Sequence, residues 1–196
     1  MTLVAESARP HADTPSARVL DATVACLARW GLSKTTLDDV ARAAGVSRAT
    51  VYRLFPGGRD VLVRAALAAE VDEIERTTVE RLLGVDDLGE RLAVVVRTLV
   101  QAIQQHAALQ YVLEHEPGHV LPHLTFDHLD AVLAAAGERL APWLDGDPRS
   151  GEWVARVVVS YAFTPSPHVD LADETDVRSF VGTYLLPALE RRTSHG

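Results

Sequence analysis

Between Ser47 and Phe55 the chain sets the guanidiniums of Arg48 and Arg53 and the hydroxyls of Ser47, Thr50 and Tyr52 around a small residue, Ala49. Guanidiniums and hydroxyls donate to phosphate oxygens and to the acceptors on base edges, and a small side chain lets a helix lie close to a groove. At about 100° per residue, Val51, Leu54 and Phe55 fall on one side, Ala49 and Arg53 on the opposite one, and Thr50 and Tyr52 on the flanks. The spacing predicts a helix with an apolar back and a small, polar front shaped for the major groove of DNA.

Such a helix needs a partner to hold its back. Leu37, Val40, Ala41 and Ala44 follow the i, i+3, i+4, i+7 spacing of a helix with one buried face. Thr36 precedes it as N-cap, with Asp39 placed to complete a box-like cap. Gly45 stands where a left-handed C′ residue is needed, Val46 can fold back on the helix just ended, and Ser47 caps the next. Two capped helices and a glycine turn are also a common packing unit with no ligand at all. The polar front of the second helix is what favours DNA.

The full string TLDDVARAAGVSRATVYRLF, followed by a short loop and a basic residue before DVL, resembles the DNA-binding domain of the tetracycline-repressor (TetR) family of bacterial transcriptional regulators. The resemblance is close over residues 16 to 64 and looser over the all-helical remainder. It implies phosphate contacts from Thr36 and Tyr52, and base or nearby backbone contacts from Arg48, Ala49 and Thr50. A Lys that grips a phosphate at the start of the family's fourth helix is matched here by Arg59, within PGGR where the family often has one small residue and Lys. Ser47 and Arg53 complete the expected DNA-binding set.

Charge is consistent with this only when divided. The whole chain of 196 residues carries −8, which alone would argue against a phosphate-rich partner. Residues 1–64, however, hold nine Lys and Arg against six Asp and Glu, and the remainder holds ten against 21. Positive charge sits with the motif, and the acidic remainder should stay off the duplex. Apolar content of 47% is ample for a buried core. Cys26, the single cysteine, reads as a buried small hydrophobe in a reducing compartment. No basic segment leads into a sustained apolar run and none reaches about 18 apolar residues, so a cytoplasmic protein with no membrane partner is expected.

The expected organisation is all-α: a flexible arm over 1–14, a three-helix helix-turn-helix DNA-binding domain over 15–60, and a helical effector-binding and dimerisation domain over 61–196, about nine helices in all. The first helix should run to about Trp30 with Leu20, Val24, Leu27 and Ala28 inward; later helices are expected near 59–83, 86–106, 107–114, 124–140, 149–164 and 174–191. Apolar stripes in the last two mark a dimer interface of Trp153, Val157, Tyr161, Val177, Phe180, Val181, Tyr184 and Leu185, unless they are internal core. A homodimer suits DNA, because two helices about 34–36 Å apart read a palindromic operator.

The middle region gathers His106, Tyr111, His115, His119, His123, Phe126 and Trp143 among Leu and Val, which suits a pocket for a small, mostly apolar effector, although ordinary core and surface histidines look the same in a sequence. The resemblance implies such a pocket and release of a repressor from its operator when it fills. One rival reading is enzymatic. His115-Glu116-Pro117-Gly118-His119 matches HExxH, the signature of a zinc-dependent hydrolase, whose imidazoles must lie one turn apart on a continuous helix. Pro117 disfavours helix at Glu116, so a break is expected there, with no catalysis, metal or cofactor, and with Glu116 dispensable.

Overall fold

The computed structural model describes residues 14–120 and 126–193, and every regular element among them is helical. The chain divides into two compact units: residues up to Arg76 together with His106–Val120, and Thr77–Gln105 together with the residues from Leu121 onward. This grouping differs from a division at residue 60, because the segment from His106 to Val120 packs with the N-terminal helices.

The first unit opens with α1 (Pro15–Lys34), started by Thr14, whose hydroxyl accepts from the Ala17 amide at 3.1 Å. The helix passes Trp30 and reaches Lys34 through a kink at Gly31, where φ is 76° and ψ −179°. That conformation is open to glycine and strongly disfavoured for any residue with a Cβ. The short helices α2 (Leu37–Ala43) and α3 (Arg48–Leu54) follow, then α4 (Arg59–Leu82), whose residues to Arg76 belong to this unit. Val19, Leu20 and Cys26 of α1, Val40 and Ala41 of α2, Val51 of α3, and Leu62 and Ala66 of α4 form one core. The inward face of α1 is therefore rotated slightly from the expected one: Leu20 and Leu27 are buried, but Val19, Thr23 and Cys26 are buried beside them and Val24 and Ala28 only partly. Burial raises the pKa of the Cys26 thiol, which keeps it a protonated hydrophobe. Helices α6 (Ala107–His115) and α7 (Pro117–Val120) complete the unit, α6 lying along α1.

The second unit is organised around α5 (Leu88–Gln105), whose Leu92, Val95, Val96 and Val100 are fully buried. Each such side chain contributes roughly 2 kcal/mol through area removed from water. Helices α8 (Phe126–Leu140) and α9 (Pro148–Phe163) cross with Gly137 against Gly151. A 3-10 turn, Ala141–Trp143, precedes the α9 cap at Asp147, which accepts from the Arg149 amide at 2.9 Å. The stretch expected as one helix over 174–191 is α10 (Glu174–Phe180) and α11 (Leu186–Thr193) joined by a π-helical turn, Val181–Leu185. Pro187 explains it: without an N–H and with its ring against the carbonyl four residues back it interrupts the ladder, and the Leu186 amide instead bonds Val181 O.

Candidate nucleic-acid interface

Local chemistry positions α3 tightly. Thr36 and Asp39 form a complete capping box at α2, the Thr36 hydroxyl accepting from the Asp39 amide at 3.2 Å and donating to Asp39 Oδ2 at 2.5 Å. The Thr36 hydroxyl and amide, and then Arg42, hold the Asp39 carboxyl below its ordinary pKa. At the other end Gly45 takes φ 65°, its amide bonds Arg42 O at 3.3 Å, and Val46 N bonds Ala41 O at 3.0 Å, closing α2 as expected. Ser47 then caps α3, accepting from the Thr50 amide at 3.1 Å and sharing a hydrogen bond with the Thr50 hydroxyl at 2.9 Å.

The two sides of α3 differ as the periodicity required. Val51 is 1% exposed, with Leu54 and Phe55 packed against the same core, whereas Tyr52 is 44% exposed and Ser47, Arg48, Ala49 and Arg53 are also exposed. Thr50 is half-buried on the flank. Arg48 lies over the Tyr52 ring at 5.5 Å and pairs with Asp38 at 2.8 Å. The Tyr52 hydroxyl and the Asp38 carboxylate both hold the Arg48 guanidinium above its usual pKa. Asp38 is the group that pattern reading missed: a carboxylate on the polar front, covered by Arg48. Both partners are more than half exposed, so the pair is weak and Arg48 can exchange it for a stronger anion.

Two expected phosphate contacts are engaged within the protein. The Thr36 hydroxyl hydrogen goes to Asp39, and Arg59, at the first residue of α4, donates from Nη1 to Leu32 O at 3.1 Å with its Nε 3.5 Å from Asp60.

The described members of the expected effector set fall in both units. His106 caps α6 through Nδ1, which accepts from the Leu109 amide at 3.1 Å, and its Nε2 lies 3.7 Å from Glu70. The rings of Tyr111 and His115 stack at 4.3 Å. These three belong to the first unit, whereas Trp143 belongs to the second. There Trp143 borders a depression of about 340 Å³ walled by Val79, Leu82, Leu83 and Val85, with Asp86 and Arg91 at its rim. His123 lies outside the described residues, as do the side chains of His119 and Phe126. A cleft of about 300 Å³ that the sequence did not suggest runs along α5 and α10, lined by Arg81, Arg97, Arg178, Glu90 and Glu174. Arg97 pairs with Glu174 at 3.2 Å and Arg178 with Glu90 at 3.0 Å, while Arg81 donates to the Thr98 hydroxyl at 3.0 Å.

Of the proposed dimer residues, Val177, Val181 and Leu185 are 1% exposed and lie in the core of their own unit. Trp153, Val157, Tyr161 and Phe180 are partly exposed and Tyr184 is 61% exposed, with Phe180 edge-on to Tyr161 at 5.2 Å and tilted on Tyr184 at 5.1 Å.

The HExxH segment does not form the helical turn that zinc chemistry needs. Glu116 ends α6 at φ −133° and ψ 46°, and Pro117 begins the separate α7. Glu116 is not idle, contrary to its expected dispensability: Oε2 accepts from the Leu32 amide at 2.7 Å and Oε1 from the Ser33 amide at 3.0 Å. Among the described residues no group of three or more His, Cys, Asp or Glu comes together to hold a metal, and no helix is long and apolar enough to cross a membrane.

Comparison with known proteins bears directly on the α1–α4 head. Residues 19–66 match the family model for bacterial regulatory proteins of the tetR family. An uncharacterised HTH-type transcriptional regulator of Mycobacterium tuberculosis is 27% identical over 176 residues, spanning 87% of this chain and 83% of that protein. The HTH-type transcriptional repressor KstR of Mycolicibacterium smegmatis is 34% identical over 92 residues, 47% of this chain and 45% of the relative. A solved structure, that of the fatty acid degradation regulator FadR from Bacillus halodurans, shares the fold with a TM-score of 0.56 at 17% identity, covering 86% of this chain and 98% of that one. The capped helix pair with its exposed polar front thus lies within the stretch that matches the model for bacterial regulatory proteins of the tetR family, and the chain is similar over most of its length to an HTH-type transcriptional regulator.

Proposed function

We propose that the chain is a ligand-responsive repressor that binds a palindromic DNA operator as a homodimer and leaves it when a small effector binds. The observation that carries the DNA-binding part is the division of α3 into a buried back, with Val51 1% exposed, and a free front around Tyr52, 44% exposed. Ser47, Arg48, Ala49, Thr50 and Arg53 share that front or its flank, with Thr36 and Arg59 beside it as phosphate contacts that must trade their internal partners for DNA. Repression is favoured by the likeness to KstR, itself named a repressor.

The test is selection of bound duplexes from a random pool. An enriched palindrome with half-sites about one helical turn apart is the expected result, and a pool that stays random overturns the proposal. On the enriched duplex, Tyr52→Ala should weaken binding about tenfold whatever the sequence, because it removes a backbone contact. Arg48→Ala and Thr50→Ala should relax preference at one or two base pairs, by about 1–3 kcal/mol at each. A uniform loss from all three, read by titration against single-base variants, contradicts that division of labour.

The homodimer is assigned to the partly exposed face of Trp153, Val157, Tyr161, Phe180 and Tyr184, with the buried Val177, Val181 and Leu185 supporting it from beneath. Equilibrium sedimentation should give twice the chain mass for the wild type and the chain mass for Tyr184→Glu, since a carboxylate there would be buried unpaired. A Tyr184→Glu chain that stays dimeric places the interface elsewhere. The effector site best supported is the apolar depression at Trp143, whose Val79, Leu82, Leu83 and Val85 suit a mostly apolar molecule. The metal-dependent alternative has no geometry to support it, because Glu116 stands at a helix break.

A further inference from the structure

We infer that Glu116 is a positioning residue for the DNA-binding head: its carboxylate, reaching from the end of α6, caps the last turn of α1 and so fixes where α2 and α3 begin. The inference rests on the DNA-binding reading and adds to it a residue that touches no DNA.

The need for such a cap begins at Gly31. Because Gly31 leaves the helical conformation, the amides of Leu32 and Ser33 start a new turn and lose the carbonyls that an unbroken helix would offer them. An unpaired amide there costs stability and lets the turn swing. Glu116 supplies both acceptors at once, Oε2 to Leu32 N at 2.7 Å and Oε1 to Ser33 N at 3.0 Å, across more than 80 residues of chain. Hydrogen bonds to a carboxylate are shorter and stronger than neutral ones, and two from one group also fix an orientation.

Several features make this contact specific. A Cβ on Gly31 would lie 2.7 Å from the Glu116 carboxyl carbon, so the same glycine that creates the kink also makes room for the group that closes it. Pro117 breaks α6 at Glu116, placing that residue at φ −133° and ψ 46°, off the helical path. The base of α6 is held too, His106 capping it 3.7 Å from Glu70 of α4. The hinge itself is gripped from other sides: Arg59 donates to Leu32 O at 3.1 Å, and the buried Thr35 hydroxyl donates to Gly31 O at 2.6 Å. The next residue, Thr36, opens the capping box of α2. Only Lys34 and Thr35 separate the amides that the Glu116 carboxylate holds from Thr36 at the start of the helix pair.

The test compares the full-length wild type with Glu116→Ala and Glu116→Gln at a temperature where all are folded. Titrations use the duplex enriched from the random pool and an unrelated duplex of equal length, and amide hydrogen exchange is followed without DNA. Glu116→Ala should bind the enriched duplex about tenfold more weakly and the unrelated one within about twofold, since loosely placed heads still neutralise phosphates but read bases poorly. Exchange at Leu32 and Ser33 should accelerate about tenfold or more. Glu116→Gln, which keeps one acceptor of nearly the same shape, should recover part of both, and it carries the comparison alone if the alanine variant does not fold. Equal losses on both duplexes overturn the positioning role, and unchanged exchange at Leu32 and Ser33 overturns the cap. A wild-type chain that enriches no duplex overturns the proposed function instead, and the exchange measurement still decides the cap.

Discussion

Ala49→Glu is expected to abolish sequence-specific DNA binding while leaving thermal unfolding within about a degree of the wild type. Ala49 is exposed at the centre of the α3 front and makes no hydrogen bond through its side chain, and glutamate forms helices nearly as well as alanine, so the fold has little to lose. The duplex does. On the proposed docking a carboxylate there would face a phosphate lattice and fill the gap through which Arg48 and Thr50 would reach base edges. Asp38 already places one acidic group on this face, paired with Arg48 at 2.8 Å, so a second would compete for the same guanidinium. Loss of one or two base contacts at about 1–3 kcal/mol each, with repulsion added, amounts to roughly a hundredfold or more at about 0.1 M salt. The ratio to wild type should narrow as salt is raised, because the repulsive part is screened. Affinity within a few-fold of wild type would mean that α3 does not enter the groove by this side.

This face is legible in the sequence because its determinants act over a short range. The capping box at Thr36 and Asp39, the left-handed Gly45 and the buried Val51 are set by residues within a turn or two of one another, and all lie as expected. Where partners are distant, pattern was not enough. The first helix is expected to end near Trp30, beside the kink at Gly31, but no local pattern shows that the chain resumes its turn to Lys34 with amides held by Glu116. For the same reason the sequence places α6 with the C-terminal helices, whereas it packs on α1: adjacency to α5 says nothing about which helix its face meets. Composition also cannot say which unit a residue joins: His106, Tyr111 and His115 belong to one and Trp143 to the other. Periodicity also cannot tell an inner stripe from an outer one: Val177, Val181 and Leu185 share a stripe with Tyr184, yet they are buried and Tyr184 is not. The π-helical turn had a visible cause in Pro187, since a proline inside an apolar helix must disturb the ladder behind it.

Gly151→Ala is expected to destabilise the second unit clearly, although alanine favours a helix over glycine by about 1 kcal/mol. A Cβ at this position would run into the carbonyl oxygen of Gly137 and lie 3.0 Å from its Cα, and these are backbone atoms that cannot rotate aside. Helices α8 and α9 would have to separate, uncovering Val154, Ala155 and Val158, all at most 5% exposed in the shared core. Overpacking of this kind typically costs about 1–3 kcal/mol, and backbone atoms on the far side put it at the upper end. The net loss, about 2 kcal/mol after the propensity gain, lowers the midpoint by about 4–8 °C in a chain of this size. Gly137→Ala meets Pro148 O at 2.6 Å and the Glu152 amide nitrogen at 2.9 Å across the same crossing, and should cost a similar amount. Because either substitution forces the same separation, the double variant should lose distinctly less than the two single losses combined. Calorimetry of the three variants checks this. Full additivity would show that each alanine is absorbed by its own local shift, and a raised midpoint for Gly151→Ala would show that the two helices are not held at the approach their glycines permit.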